Sequence, residues 1–101
     1  MEPTPLNRAL TQEQKMAAFA SQFPALRGKP GVHPWDAKKL QRWASTVASS
    51  GERHCAVFCL NVWNPYHKWR AGRFNLVDAC GVLDAGNREP ILKWIANPWF
   101  P

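Results

Sequence analysis

The sequence predicts an all-α fold, a compact bundle of four to five short helices with a buried central helix near residues 52–63. Three observations lead there. Apolar residues recur at helical spacing over 12–22 and again over 34–48. The run from Cys55 to Trp63 is apolar on nearly every side, and no second strand-like stretch exists to pair with it. A lone strand would leave its backbone polar groups unsatisfied, whereas an apolar helix suits the middle of a bundle. Asn-Pro closes two apolar runs, at 64–65 and 97–98, because an X-Pro step disfavours helical geometry in the residue before it.

Each element follows from local chemistry. Residues 1–10 hold Pro3 and Pro5 and are expected to be a loose lead-in to a single helical domain over 11–101. Thr11 and Gln14 have the form of a capping box, and Met16, Phe19, Ala20 and Phe23 follow at helical spacing, so a first helix is expected over 12–22. Pro24 interrupts it, and residues 27–31 read as a loop. Pro34 suits a first helical position and Asp36 the positive end of a helix, which sets a second helix over 34–48. Its apolar stripe is Trp35, Leu40, Trp43, Ala44 and Val47, with Ser49 to Gly51 as its terminator. After the central helix comes a basic, aromatic connector from Tyr66 to Gly72. Asn75 is a natural cap for a helix to about 85, facing inward through Leu76, Val77, Cys80 and Leu83. Asn87 would cap a last helix over 88–96, since Pro90 is tolerated only in a first turn. Ile91, Leu92, Trp94 and Ile95 would be its inner side. Trp99 and Phe100 have no charged neighbour and are expected to fold back over the core.

The predicted core is Phe19, Phe23, Leu40, Trp43, Val57, Phe58, Leu60, Val62, Leu76, Leu83, Leu92 and Trp94. Six Trp, five Phe and one Tyr are many for 101 residues. A buried aromatic removes ~150–250 Å² from water, an upper limit of ~4–6 kcal/mol, which gives a small chain a route to stability without staples. Such a composition is also unlike that of a disordered chain.

Charge and cysteine usage narrow the function. The formal charge is +6. Residues 1–73 carry eleven Lys/Arg against four Asp/Glu, a net +7, and residues 74–101 carry two against three, a net −1. The three cysteines, Cys55, Cys59 and Cys80, are odd in number and irregularly spaced, which is no disulfide framework. Glu2 stands where a secretory signal would be basic, and the apolar run from Cys55 to Leu60 is too short to span a bilayer. The reading is a cytoplasmic protein with reduced thiols and no membrane partner.

Catalysis and metal binding find little support. His54, Cys55, Cys59 and Cys80, with His33 and His67, raise the question of a metal site. Structural zinc, however, draws paired cysteines from turns, and Cys55 and Cys59 sit in the most apolar segment, where thiols pack as small hydrophobes. No glycine-rich oxyanion turn, carboxylate pair, phosphate loop or dinucleotide fingerprint is present. No catalytic residue, metal or cofactor is assigned.

A basic and aromatic surface remains. Lys38, Lys39 and Arg42 on one helix could join Arg53, His67, Lys68, Arg70 and Arg73, with Tyr66 and Trp69 beside them. The segment "WNPYHKWR", residues 63–70, has the composition of an interface hot spot. The chain is therefore read as a non-catalytic binding or regulatory module that recognises a protein partner, a second copy included. The residues assigned to binding are Tyr66, Lys68, Trp69, Arg70 and Arg73, helped by Lys38 and Arg42. The competing reading is nucleic-acid binding, with the Lys/Arg patch on phosphates and the aromatics stacked on bases.

Overall fold

In the computed structural model, which describes residues 10–101, five α-helices and one short 3₁₀ turn supply the regular structure, and no strand occurs among the described residues. The lead-in expected over 1–10 lies outside that range except for Leu10. Helix α1, Gln12–Ala20, begins at the expected capping box. The Gln14 N–H donates to Thr11 Oγ1 at 3.0 Å and the Thr11 N–H donates to Gln14 Oε1 at 2.8 Å. It ends two residues earlier than expected, and the chain turns through Ser21 into the 3₁₀ turn Pro24–Leu26. Met16, Phe19, Phe23 and Leu26 from this region are buried.

Helix α2, Ala37–Thr46, starts three residues later than the proline suggested. Asp36 is its N-cap and not part of its first turn: a carboxylate oxygen accepts from the Lys39 N–H at 3.1 Å. Pro34 lies ahead of the helix in the turn that buries Val32 and Trp35. Gly31 makes that turn possible. Its φ is +80°, and a side chain there would run into the backbone of Asp36 and Leu40. At the other end Ser45 Oγ donates to the Gln41 carbonyl and Thr46 Oγ1 to the Arg42 carbonyl, at 2.9 and 2.6 Å. Both hydroxyls bond back to carbonyls one turn earlier, and the helix closes at Val47, the C-cap, whose N–H donates to the Trp43 carbonyl. Val47 is exposed instead of completing the stripe. Leu40 and Ala44 are buried, and Trp43 is half-buried.

Helix α3, Ser50–Trp63, is the expected centre. It touches α1, α2, the 3₁₀ turn and the helix that follows it. Every residue from Cys55 to Leu60 is buried. Ser49, expected to end α2, instead caps α3 through a second capping box with Glu52. The Ser49 N–H donates to the Glu52 carboxylate and holds that carboxyl below its ordinary range. Phe58 is the hub of the core. Its ring centroid lies 4.9 Å from Phe74, 5.4 Å from Trp94, 6.1 Å from Phe19 and 6.4 Å from Phe23. The Phe74 and Trp94 contacts are edge-to-face and the other two tilted, and edge-to-face pairs add ~0.5–1.5 kcal/mol each beyond the area they bury.

Helices α4, Leu76–Val82, and α5, Ala85–Ala96, depart most from expectation. Asn75 caps α4 as foreseen, accepting from the Asp78 N–H at 2.9 Å. The helix turns inward through Ala79, followed by Leu83, while Leu76, Val77 and Cys80 face outward. Asp84, three residues before the expected cap Asn87, is the N-cap of α5 and accepts from the Asn87 N–H at 3.0 Å. Pro90 consequently sits in the second turn. The hydrogen bond it cannot make would have gone to the carbonyl of Gly86, an exposed residue that water can serve. Asn87 is released from capping and is buried, its Oδ1 accepting from the Ala25 N–H at 2.9 Å. Ile91 is buried and Trp94 half-buried, whereas Leu92 and Ile95, assigned to the inner side, are exposed.

The final residues do fold back. Trp99 packs edge-on against Phe19 at 5.4 Å, and its carbonyl accepts from Trp94 Nε1 at 2.9 Å. Phe100 rests on Trp94 at 5.5 Å and stays largely exposed. No helix among the described residues is long and apolar enough to cross a membrane.

Candidate binding cleft

The connector between α3 and α4, residues 64–75, is held against α2 and α3 by side-chain amides. Asn64, the C-cap of α3, accepts the Tyr66 N–H on its Oδ1 at 3.1 Å and Trp69 Nε1 on its backbone carbonyl at 3.1 Å. Asn61 Oδ1 accepts from the Phe74 N–H at 3.1 Å. Gln41 Oε1, on α2, accepts from the Arg70 N–H at 2.6 Å. A turn closed by Gly72 N–H to the Trp69 carbonyl, with Gly72 at φ +105°, completes the loop. Apart from the Trp69 indole bond, each satisfies a backbone donor that a loop would otherwise leave to water.

Between this loop and α2 lies an open cleft of about 360 Å³. Its α2 wall is Lys38, Gln41, Arg42 and Ser45, which are spaced i, i+3, i+4 and i+7 and so share one face. Trp63, at the end of α3, and His67, Trp69 and Arg70 from the loop form the other wall. Four of the residues assigned to binding from the sequence are thus brought together: Lys38, Arg42, Trp69 and Arg70. Tyr66, Lys68 and Arg73 do not line the cleft; Tyr66 is 93% exposed and stands beyond its edge. Among the described residues the ion pairs are Lys29–Glu52 at 3.5 Å and Glu89–Lys93 at 3.8 Å, and neither includes a cleft cation.

The aromatic wall is braced, not free. Trp69 is half-buried, its Nε1 is bonded to Asn64, and the His67 ring packs against it, tilted by 59°, at 4.2 Å. Trp63 packs on Trp35 at 5.7 Å. Gln41, Ser45, Trp63 and His67 were not among the residues assigned to binding. Helical spacing from Lys38 would have found Gln41 and Ser45, and the basic cluster already contained His67. Trp63 opens the segment 63–70 whose composition marked a hot spot, but it was not itself assigned to binding.

The cysteines lie elsewhere. Burial pushes the Cys55 thiol up to about 12, with the charges of Asp84 and Glu52 adding to it. Burial also raises Cys59 well above the ordinary range. Neither is a thiolate near neutral pH, the form that attacks or binds metal. Among the described residues no three His, Cys, Asp or Glu side chains cluster closely enough to hold a metal ion. Compared with protein-family models, with curated proteins and with solved structures, the chain matches none.

Proposed function

We propose that this chain is a non-catalytic binding module that takes an acidic segment of a protein partner into the cleft between α2 and the 64–75 loop. The observation that carries the reading is the convergence of Lys38, Arg42 and Arg70 beside Trp69 in one open cleft. Guanidinium groups bind carboxylates in a two-bond fork, and Trp and Arg are the residue types that carry most binding energy in protein interfaces. The held-protonated Cys55 and Cys59 thiols support a role without a cysteine nucleophile. Three free cysteines, one of them exposed, suit a reducing compartment such as the cytoplasm.

A protein is preferred to a nucleic acid because of how the rings are used. Base stacking needs an open aromatic face. Trp69 is half-buried with the His67 ring tilted against it and its Nε1 bonded to Asn64. Trp63 is engaged with Trp35, and the most exposed ring, Tyr66, does not line the cleft.

The test is a titration of the protein with a glutamate-rich peptide and, in parallel, a single-stranded oligonucleotide, followed by tryptophan fluorescence. Peptide binding should fall roughly tenfold or more in Arg42→Ala with Arg70→Ala, with melting temperature nearly unchanged. Tight oligonucleotide binding lost in the same variant would make nucleic acid the partner. Binding of neither probe would remove the cleft from consideration.

A further inference from the structure

The geometry points to a second copy of this chain as the occupant of the outer face of α4 and α5. Five of the nine large apolar side chains exposed among the described residues lie on these two short helices: Leu76, Val77, Val82, Leu92 and Ile95, between 49% and 79% exposed. Leu76 and Leu92 come from different helices yet line one small dent with Ala79, Cys80, Leu83, Arg88 and Ile91, so they belong to a continuous surface. The dent measures about 30 Å³, room for little more than a methyl group. Small-molecule sites need roughly ten times that. The dent is therefore too small to hold a metabolite.

Charge selects which protein. Residues 1–73 carry a net +7 and residues 74–101 a net −1. Two copies of this basic chain repel wherever cations meet, and the near-neutral final quarter is where they can approach. An anionic partner is drawn to the basic part of the molecule, and a strongly cationic one is repelled by the whole. The α4–α5 region also carries both signs, Asp78, Asp84 and Glu89 against Arg88 and Lys93, and its exposed Glu89–Lys93 pair at 3.8 Å can exchange partners with that of a second copy. A two-fold interface uses the same patch twice and so needs such a self-complementary set. None of the residues lining the α4–α5 dent lines the basic cleft, so the two sites use separate residues.

The experiment is light scattering of the full chain from micromolar to near-millimolar concentration, on the natural sequence and on Leu76→Glu with Leu92→Glu. The natural chain should approach twice 11.5 kDa, and the double variant should weaken association roughly tenfold or more while keeping its helical circular dichroism. Should that variant unfold, hydrogen exchange of the natural chain decides instead, with α4 and α5 gaining protection as concentration rises. A mass of 11.5 kDa throughout overturns the proposal. So does a dimer that the folded double variant leaves intact, or protection that does not change with concentration.

Discussion

The Arg70 N–H donates to Oε1 of Gln41 at 2.6 Å, across 29 residues of chain. A helix residue of no charge thereby sets where a loop cation stands relative to Lys38 and Arg42. Gln41→Ala keeps all three cations in the chain but removes the tie that positions Arg70. Acidic-peptide affinity is expected to fall about threefold to tenfold, with a stability loss of about 1 kcal/mol, because the freed N–H is exposed and water replaces the bond. Peptide titration set beside a thermal melt separates the two effects. Unchanged affinity would mean that the loop keeps its position without Gln41.

Asn87 is a buried polar group with its amide committed on both sides, to the Ala25 N–H and to the Asp84 carboxylate, each at 2.9 Å. Asn87→Ala strands the Ala25 donor and should cost about 2 kcal/mol in urea denaturation. Asn87→Asp sets two carboxylates against each other. Its deficit should be largest at neutral pH and shrink in acid, as protonation removes the repulsion. A deficit independent of pH would show that shape and not charge is being read.

The tail contributes through packing. Trp99→Ala removes a half-buried ring from Phe19 and is expected to cost about 2 kcal/mol, below the ~3–5 kcal/mol of a fully buried tryptophan. Trp94→Phe keeps a ring against Phe58 but frees the Trp99 carbonyl, and should cost about 1 kcal/mol. Chemical denaturation measures both. Full stability in Trp99→Ala would show that the closing residues do not help hold the core.

Cys55 and Cys59 make the fold sensitive to alkali. The folded state holds the Cys55 proton up to about 12, against 9.0 for an ordinary thiol, so the unfolded chain loses its proton first as pH rises. The stabilisation is complete below about pH 9 and is lost progressively toward about 12, at up to about 1.4 kcal/mol per pH unit for each thiol. Melts from neutral to alkaline pH should show this slope, and Cys55→Ala should make it shallower. A thiol reagent should modify Cys80 quickly in the native protein and all three cysteines only after unfolding. Fast native reaction of Cys55 or Cys59 would contradict their burial.

What was legible in the sequence was local. Thr11 with Gln14 and Asn75 with Asp78 declare their caps within one turn, and the unbroken apolar run of α3 can sit only at the centre. Lys38 and Arg42 share a face because they are one turn apart. The bonds that shape the cleft and brace α5 were not legible, since a carboxamide whose partner lies 13, 29 or 62 residues away leaves no period to read. Helices α4 and α5 misled for a different reason. Each has apolar residues on more than one side, and periodicity does not say which side turns inward. Pro90 then displaced the expected start of α5, because the one carbonyl it leaves unserved belongs to an exposed residue.

Gly31 extends the argument from one molecule to its descendants. A backbone at φ +80° pressed against Asp36 and Leu40 admits no side chain, so drift at this position is closed while the surface around it can change freely. Lineages that keep the turn into α2 must keep this glycine, together with an oxygen-bearing cap at position 36. Hydrophobic residues can be exchanged for one another over long divergence until their pattern fades. A glycine followed five residues later by Asp, Asn, Ser or Thr at the head of a helix is what should outlast them, and it offers a physical marker for kinship between chains that have otherwise lost resemblance.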